Sequence, residues 1–326
     1  MAAAPTDLAI ETRGLTRSFG DVRAVDGVDL AIPRGEIYGF LGPNGAGKST
    51  VVRMLCTLLL PSSGSALVAG HDVAQHPERV RLAIGAALQA TAIDPKQTGR
   101  ELLRLQARLY GLRRAALDAR VAQLAELVDI GEALDRRVGT YSGGMKRRLD
   151  LALALVHTPS ILFLDEPTTG LDPASRAKVW DEVRRLNAAE GMTIFLTTQY
   201  LEEADELAGR VGIISRGRLA AQGTPAELKR NVGSDVVQAV VAGDPAAVEA
   251  AAAAARGVAG VEGVDVHGSE ITVRARNGSE ALSPLALALA ASGARVASLT
   301  LRTPTLDDVF LQLTGGHLQG GEEAAA

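Results

Sequence analysis

The chain has 326 residues, 47% of them hydrophobic and 22% charged, a balance that supports a packed core and excludes a largely disordered chain. Its formal net charge is −4, with 3% aromatic residues; this excludes a broad basic footprint for nucleic acid and leaves few rings for stacking single strands. The single cysteine, Cys56, excludes an intrachain disulfide and any multi-cysteine metal cluster.

Residues 1–6 have neither a basic stretch nor an apolar run, so no signal peptide is expected. No segment reaches the ~18 apolar residues that cross a bilayer; the nearest, residues 51–60, is short and carries Arg53. Residues 37–41 read as a buried strand, followed by a Gly-rich turn and a helix from Lys48 to about Leu59. Residues 161–164 and 193–198 read as further buried strands. Between them, residues 173–187 carry Ala177, Trp180, Val183 and Leu186 at helical spacing. Such alternation predicts a mainly parallel sheet covered by helices.

Beyond Lys229 the composition changes. Residues 231–326 hold eleven Asp or Glu against five Arg and no Lys, a balance of −6 that leaves +2 for the rest. With the turn-prone Asn231-Val-Gly-Ser-Asp235, this predicts a boundary between a first domain over 8–230 and a small α+β domain over 235–314. In the second, strands are expected at 236–241, 261–266 and 270–274, and helices at 245–255 and 282–291. Residues 315–326 are expected to form a flexible tail. His267 reads as a surface residue and Cys56 as a small buried apolar one.

Gly42-Pro43-Asn44-Gly45-Ala46-Gly47-Lys48-Ser49-Thr50 fits G-x-x-x-x-G-K-[ST] between a strand and a helix. Glycines let the backbone wrap phosphates with its N–H groups pointing inward, and the helix start adds its positive dipole end. Lys48 is expected on the β- and γ-phosphates, and Ser49 on Mg²⁺, with Thr50 on the same turn. The chain has 29 Arg and five Lys, so Arg is its default cation; a compact ammonium stands where a planar guanidinium would not fit. Ile161-Leu-Phe-Leu-Asp165-Glu166 ends an apolar strand with two acids, where open α/β sheets gather their ligands. Asp165 is expected to hold Mg²⁺ through water and Glu166 to polarise the attacking water.

Further segments resemble the ATP-binding subunits of ABC transporters. Tyr141-Ser142-Gly143-Gly144-Met145 is similar to the ABC signature. The resemblance implies that Ser142 and the Gly143 and Gly144 amides bind the γ-phosphate of ATP held by a partner subunit. It implies that Gln89 contacts Mg²⁺ and the membrane subunit, that Phe19 stacks on adenine, and that Asp172 in Thr169-Gly-Leu-Asp172 crosses a dimer interface as well as capping a helix. It spans residues 8–228 and implies an α/β P-loop NTPase fold of ABC type with a helical signature subdomain over about 90–158. Thr140-Tyr-Ser-Gly-Gly-Met-Lys-Arg-Arg-Leu-Asp150, Leu196-Thr-Thr-Gln-Tyr-Leu-Glu-Glu-Ala-Asp205 and Thr305-Leu-Asp-Asp-Val-Phe-Leu311 narrow it to the subunits of daunorubicin-type drug-resistance exporters.

Most ABC ATPases carry a switch histidine where this chain has Gln199. A glutamine amide can donate to a γ-phosphate oxygen but cannot become cationic, so turnover without a histidine-linked pH dependence is expected. With one phosphate loop and one signature per chain, the resemblance implies a homodimer or paired ATPase subunits with ATP and Mg²⁺ at each interface. It also implies a separate membrane permease and a location on the cytoplasmic face of the cell membrane. Hydrophobic drugs are the expected cargo, with a glycolipid, polysaccharide or lipid as the alternative; a soluble ATPase acting on ribosomes or DNA fits less well. The C-terminal domain is expected to support dimerisation or permease docking.

Overall fold

The computed structural model describes residues 7–88, 93–232, 235–242 and 245–314. Contacts divide the chain between Pro225 and Ala226. In chain order the first unit runs β1 (Leu8–Phe19), β2 (Val22–Pro33), β3 (Ile37–Leu41), α1 (Lys48–Leu55), β4 (Ser63–Val68), β5 (His71–Asp72), α2 (Pro77–Ala83) and β6 (Ile84–Ala87). It continues with α3 (Gly99–Leu109), α4 (Arg114–Val128), α5 (Gly143–Ala154), β7 (Ile161–Asp165), α6 (Pro173–Glu190), β8 (Thr193–Thr198), α7 (Leu201–Leu207), β9 (Arg210–Ser215) and β10 (Arg218–Gly223).

Six strands form the main sheet in the order β10-β9-β3-β8-β7-β6. All neighbours are parallel except the β9–β10 hairpin at the edge. β3, β7 and β8 are buried along their whole length, as strands covered on both faces must be. Successive side chains therefore feed opposite cores. Leu162, Leu164, Ile194 and Leu196 join α3 to α6 on one face. Ile161, Phe163 and Phe195 join Tyr38, Phe40 and α1 on the other. Phe195 lies 5.4–5.6 Å from the rings of Tyr38, Phe40 and Phe163. Each fully buried large side chain of this kind contributes about 1.5–3 kcal/mol from burial, so the floor beneath α1 is stiff.

The antiparallel sheet β2-β1-β4-β5 is absent from the sequence-based expectation. Its strands are half-buried and β-bulged, and Gly14, Gly27 and Ser63-Gly64 break the alternation that marks a regular strand. The helix after the phosphate loop also stops early, at Leu55 rather than near Leu59. Thr57 takes a left-handed φ of 61°, and the Leu58 and Leu59 amides both turn back to donate to the Arg53 carbonyl. That arrangement closes the helix end before Pro61.

Helix starts carry their own signals. Thr98 caps α3 with a reciprocal Thr98–Glu101 capping box. Asp172 caps α6, accepting from the Ser175 amide at 3.0 Å, with Pro173 in the first turn.

α8 (Pro225–Val232) begins at the division between the units. The second unit continues with β11 (Asp235–Ala242), α9 (Pro245–Arg256), β12 (Val261–His267), β13 (Glu270–Ala275), α10 (Gly278–Ala291), β14 (Arg295–Arg302) and α11 (Leu306–Thr314). Its sheet is antiparallel in the order β12-β13-β11-β14. Val237, Ala239, Val241, Ile271 and Val273 pack on Val248, Ala251 and Ala255 of α9 and Leu285 and Leu289 of α10. β14 adds a strand that the sequence reading leaves out. His267 is exposed at the end of β12, and Cys56 is buried, its thiol pushed up by desolvation.

Candidate active site

The register of the main sheet brings three strand ends together. Leu41 pairs with Thr198, and Thr197 pairs with Asp165. Gly42, Gln199 and Glu166 each follow within a residue of these positions, so the phosphate loop, the position of the usual switch histidine and the acidic pair share one edge. Ligands gather at such carboxyl-end crevices.

The loop itself is held from three sides. Gly45 and Gly47 have φ of 78° and 110°, values that other residues rarely adopt. A Cβ at Gly42 would lie 2.5 Å from the Ile214 carbonyl oxygen, and one at Gly47 would lie 2.5 Å from that of Ala24. The Gly217 amide donates to the Ala46 carbonyl at 2.9 Å. Asn44 and Gly45 are exposed, Pro43 and Ser49 half-buried, and Ala46 buried.

Lys48 is only 5% exposed. Its Nζ donates to the carbonyls of Gly42 at 2.6 Å and Pro43 at 3.3 Å and stands 3.7 Å from Glu166 Oε1. Burial pulls the ammonium below its usual pKa, and the Glu166 and Asp165 carboxylates oppose that shift. Ser49 Oγ lies 3.5 Å from Asp165 Oδ1. These two oxygens, hydroxyl and carboxylate, form the hard donor set that Mg²⁺ prefers, so the residues present fit the ion. Glu166 takes a left-handed φ of 50°, a strained conformation for a non-glycine residue. Its amide donates to the Thr197 carbonyl at 3.0 Å and to Thr197 Oγ1 at 3.1 Å, and Thr197 Oγ1 donates to Asp165 Oδ1. Gln199 is half-buried just beyond β8. The Tyr200 amide donates to Thr198 Oγ1 at 2.9 Å and turns the chain outward there.

The signature residues lie on another element. Ser142 caps α5, its Oγ accepting from the Met145 amide at 3.3 Å. Ser142 and Gly143 are exposed. A Cβ at Gly144 would meet Ser175 Oγ at 3.1 Å, which sets this turn against the start of α6 and Asp172. Tyr141, where the signature usually has leucine, is buried and donates to the Ala133 carbonyl at 2.7 Å. Phe19 is 47% exposed at the tip of the β1–β2 hairpin, with the Arg17 guanidinium 4.7 Å from its ring centre. Gln89 lies outside the described residues.

Three residues escape the sequence reading. Thr197 ties the two acids to β8, but Thr193 and Thr198 in the same strand give it no distinguishing signal. Arg147 joins α5 to the end of β7 and is hidden in a basic run. Glu203 is fully buried, accepting at 2.9 Å from both Thr168 Oγ1 and Trp180 Nε1. Desolvation raises its pKa. Its sequence neighbours Glu202 and Asp205 disguise it as part of a solvated acidic face.

A parallel sheet that ends in a glycine cradle, a buried lysine and an acidic pair defines a P-loop ATPase. The family model for ABC transporters matches residues 25–169, and a second, for the C-terminal domain of DrrA1-3-like ATP-binding proteins, matches residues 223–314. The daunorubicin resistance ATP-binding protein DrrA2 of Streptomyces coeruleorubidus is 46% identical over 98% of this chain and 98% of its own. The daunorubicin/doxorubicin resistance ATP-binding protein DrrA of Streptomyces peucetius is 46% identical over 94% and 92%. Among solved structures, CbiO1 of Clostridium perfringens, part of an ABC transporter complex, is 28% identical with a TM-score of 0.62 over 68% of this chain and 90% of that one. The chain belongs to the ATP-binding subunits of ABC transporters, in the group typified by these daunorubicin-resistance proteins, and is an ATPase coupled to transport. Among the described residues no helix is long and apolar enough to cross a membrane.

Proposed function

We propose that the chain drives the export of hydrophobic drugs resembling the anthracycline antibiotics, as a nucleotide-sandwich dimer bound to a separate permease on the cytoplasmic face of the membrane. The observation that carries the mechanism is the convergence of Lys48, Ser49, Asp165 and Glu166 at one sheet edge. The loop amides and Lys48 grip the β- and γ-phosphates, and Phe19 stacks on the base. Ser49 and Asp165 hold Mg²⁺, with Gln89 assigned there by sequence alone. Mg²⁺, when bound, offsets charge on the phosphate oxygens. Glu166, fixed by its amide on Thr197, orients and deprotonates the attacking water. Gln199 donates to the γ-phosphate.

Exposed Ser142 and Gly143, with Gly144, would meet the nucleotide of a second protomer, which suits a helix start left open to solvent. Asp172 stands beside them at the same surface. The drug cargo is inferred from the resistance functions named for the relatives. For the permease, support comes from a cavity of about 400 Å³ lined by Leu58, Leu88, Ile93 and Tyr110 and from exposed Leu82, Leu105 and Leu109 on α2 and α3. Exposed leucines on the elements that border the cavity suit a protein partner. Drug accumulation in cells carrying wild-type or Glu166→Gln protein tests the reading. The variant should accumulate drug like cells without the protein, and equal protection by both would overturn it.

A further inference from the structure

One residue of the cavity just described is tied to the catalytic edge through an ion pair. Asp150 of α5 lines it beside Leu88 and His157, and its carboxylate accepts from Arg147 Nη1 at 3.1 Å. Arg147 lies one turn closer to the signature. Its guanidinium, 12% exposed, reaches two other segments. Nε donates to the Pro167 carbonyl at 3.0 Å, and Nη2 donates to those of Asp165 at 3.1 Å and Ala87 at 3.4 Å. Nη1 also donates to the Leu88 carbonyl at 3.4 Å. A guanidinium has five N–H hydrogens in a rigid fork, and here five acceptors meet them.

The acceptors are chosen by position. Asp165 and Pro167 flank Glu166, whose strained backbone needs fixing from both sides. Ala87 and Leu88 end β6, and Leu88 itself lines the cavity. One side chain on the signature helix thus binds the catalytic turn and the last described residues before position 89, and is itself aimed by a carboxylate on the docking cavity. An ammonium has only three hydrogens and no plane, so lysine cannot make this set of bonds.

We propose that Arg147, aimed by Asp150 on the wall of the cavity, is the positioning residue that fixes the placement of Glu166. The inference rests on Glu166 being the base. It acts on turnover and not on nucleotide grip, because none of its five bonds touches the phosphate loop.

The test uses the full-length purified chain, with ATPase rates over a range of MgATP concentrations and a melting curve for each variant. Asp150→Asn keeps an acceptor but removes the charge that aims Arg147, and should lower kcat about tenfold with KM for ATP within about twofold. Arg147→Lys should do the same, and Asp150→Glu should recover most of the rate. Unchanged kcat in Asp150→Asn overturns the proposal. So does a kcat loss that tracks a rise in KM, or one that Asp150→Glu shares, since a merely structural pair would behave so. If Arg147→Lys does not fold, the two Asp150 variants decide. Failure of the functional reading looks different: wild type would not hydrolyse ATP at all, or Lys48→Ala would hydrolyse it normally.

Discussion

The phosphate loop and the signature turn are both glycine-rich segments at a helix start, yet they are built in opposite ways. The loop from Gly42 to Lys48 is pressed between Ile214 and Ala24, and its lysine is buried against its own carbonyls. The turn at Ser142 and Gly143 is exposed, and the Ser142 side chain makes one cap bond, from the Met145 amide. A segment pinned from behind, with its tip exposed, suits a ligand gripped within one chain. A segment with its helix start open suits one delivered from outside. Composition alone does not separate them; what lies behind each does.

The largest expected effect breaks the loop side of this contrast at its chemistry. Glu166→Gln keeps the shape and removes the proposed base, so turnover should fall about 10²–10⁴-fold while ATP binding persists and closed dimers accumulate on gel filtration. Lys48→Ala should weaken ATP binding about 100-fold, because a buried charge-assisted contact is lost; equilibrium binding of a fluorescent ATP analogue reads this directly. On the signature side, Ser142→Ala should leave the ATP affinity of the single chain unchanged. It should lower turnover about tenfold and cost about 1 kcal/mol of stability through the lost cap, measured by urea unfolding. Equal effects of Lys48→Ala and Ser142→Ala on single-chain binding would erase the contrast.

The smallest effect comes from the far end of the signature helix. His157 stacks on Tyr110 at 3.9 Å, and its Nε2 hydrogen-bonds the Ile84 carbonyl at 2.8 Å. Burial holds its pKa below the usual value. The unfolded chain therefore binds this proton more readily than the folded one. The stabilisation is present above about pH 6.5, the unfolded value, and is lost as the pH falls through the lower folded value. His157→Gln should flatten that part of a melting-temperature profile by a few degrees at most.

The phosphate-loop and acidic motifs were legible because the chemistry proposed for them dictates residue type at fixed spacing: Lys48 among 29 arginines, and Asp165 and Glu166 after four apolar residues. β3, β7 and β8 were legible because strands buried on both faces leave unbroken apolar runs. β1 and β4 were not, since bulges destroy the period of two that would announce them. Thr197, Arg147 and Glu203 matter through partners far along the chain, such as Asp165, Pro167 and Trp180, and no local pattern encodes such a meeting. The end of α1 was missed for a related reason: a left-handed threonine, not a glycine, closes it.

The hydrogen on the Gly47 α-carbon is all that separates the loop from the Ala24 backbone. The β1–β2 hairpin cannot slide or tilt without carrying the cradle along, and the two behave as the jaws of one caliper. Phe19 rides at the tip of one jaw, so the place of its backbone relative to the cradle is set by the close approach of Gly47 to Ala24. A change in hairpin length would therefore alter the reach of the whole grip before it altered any residue within it.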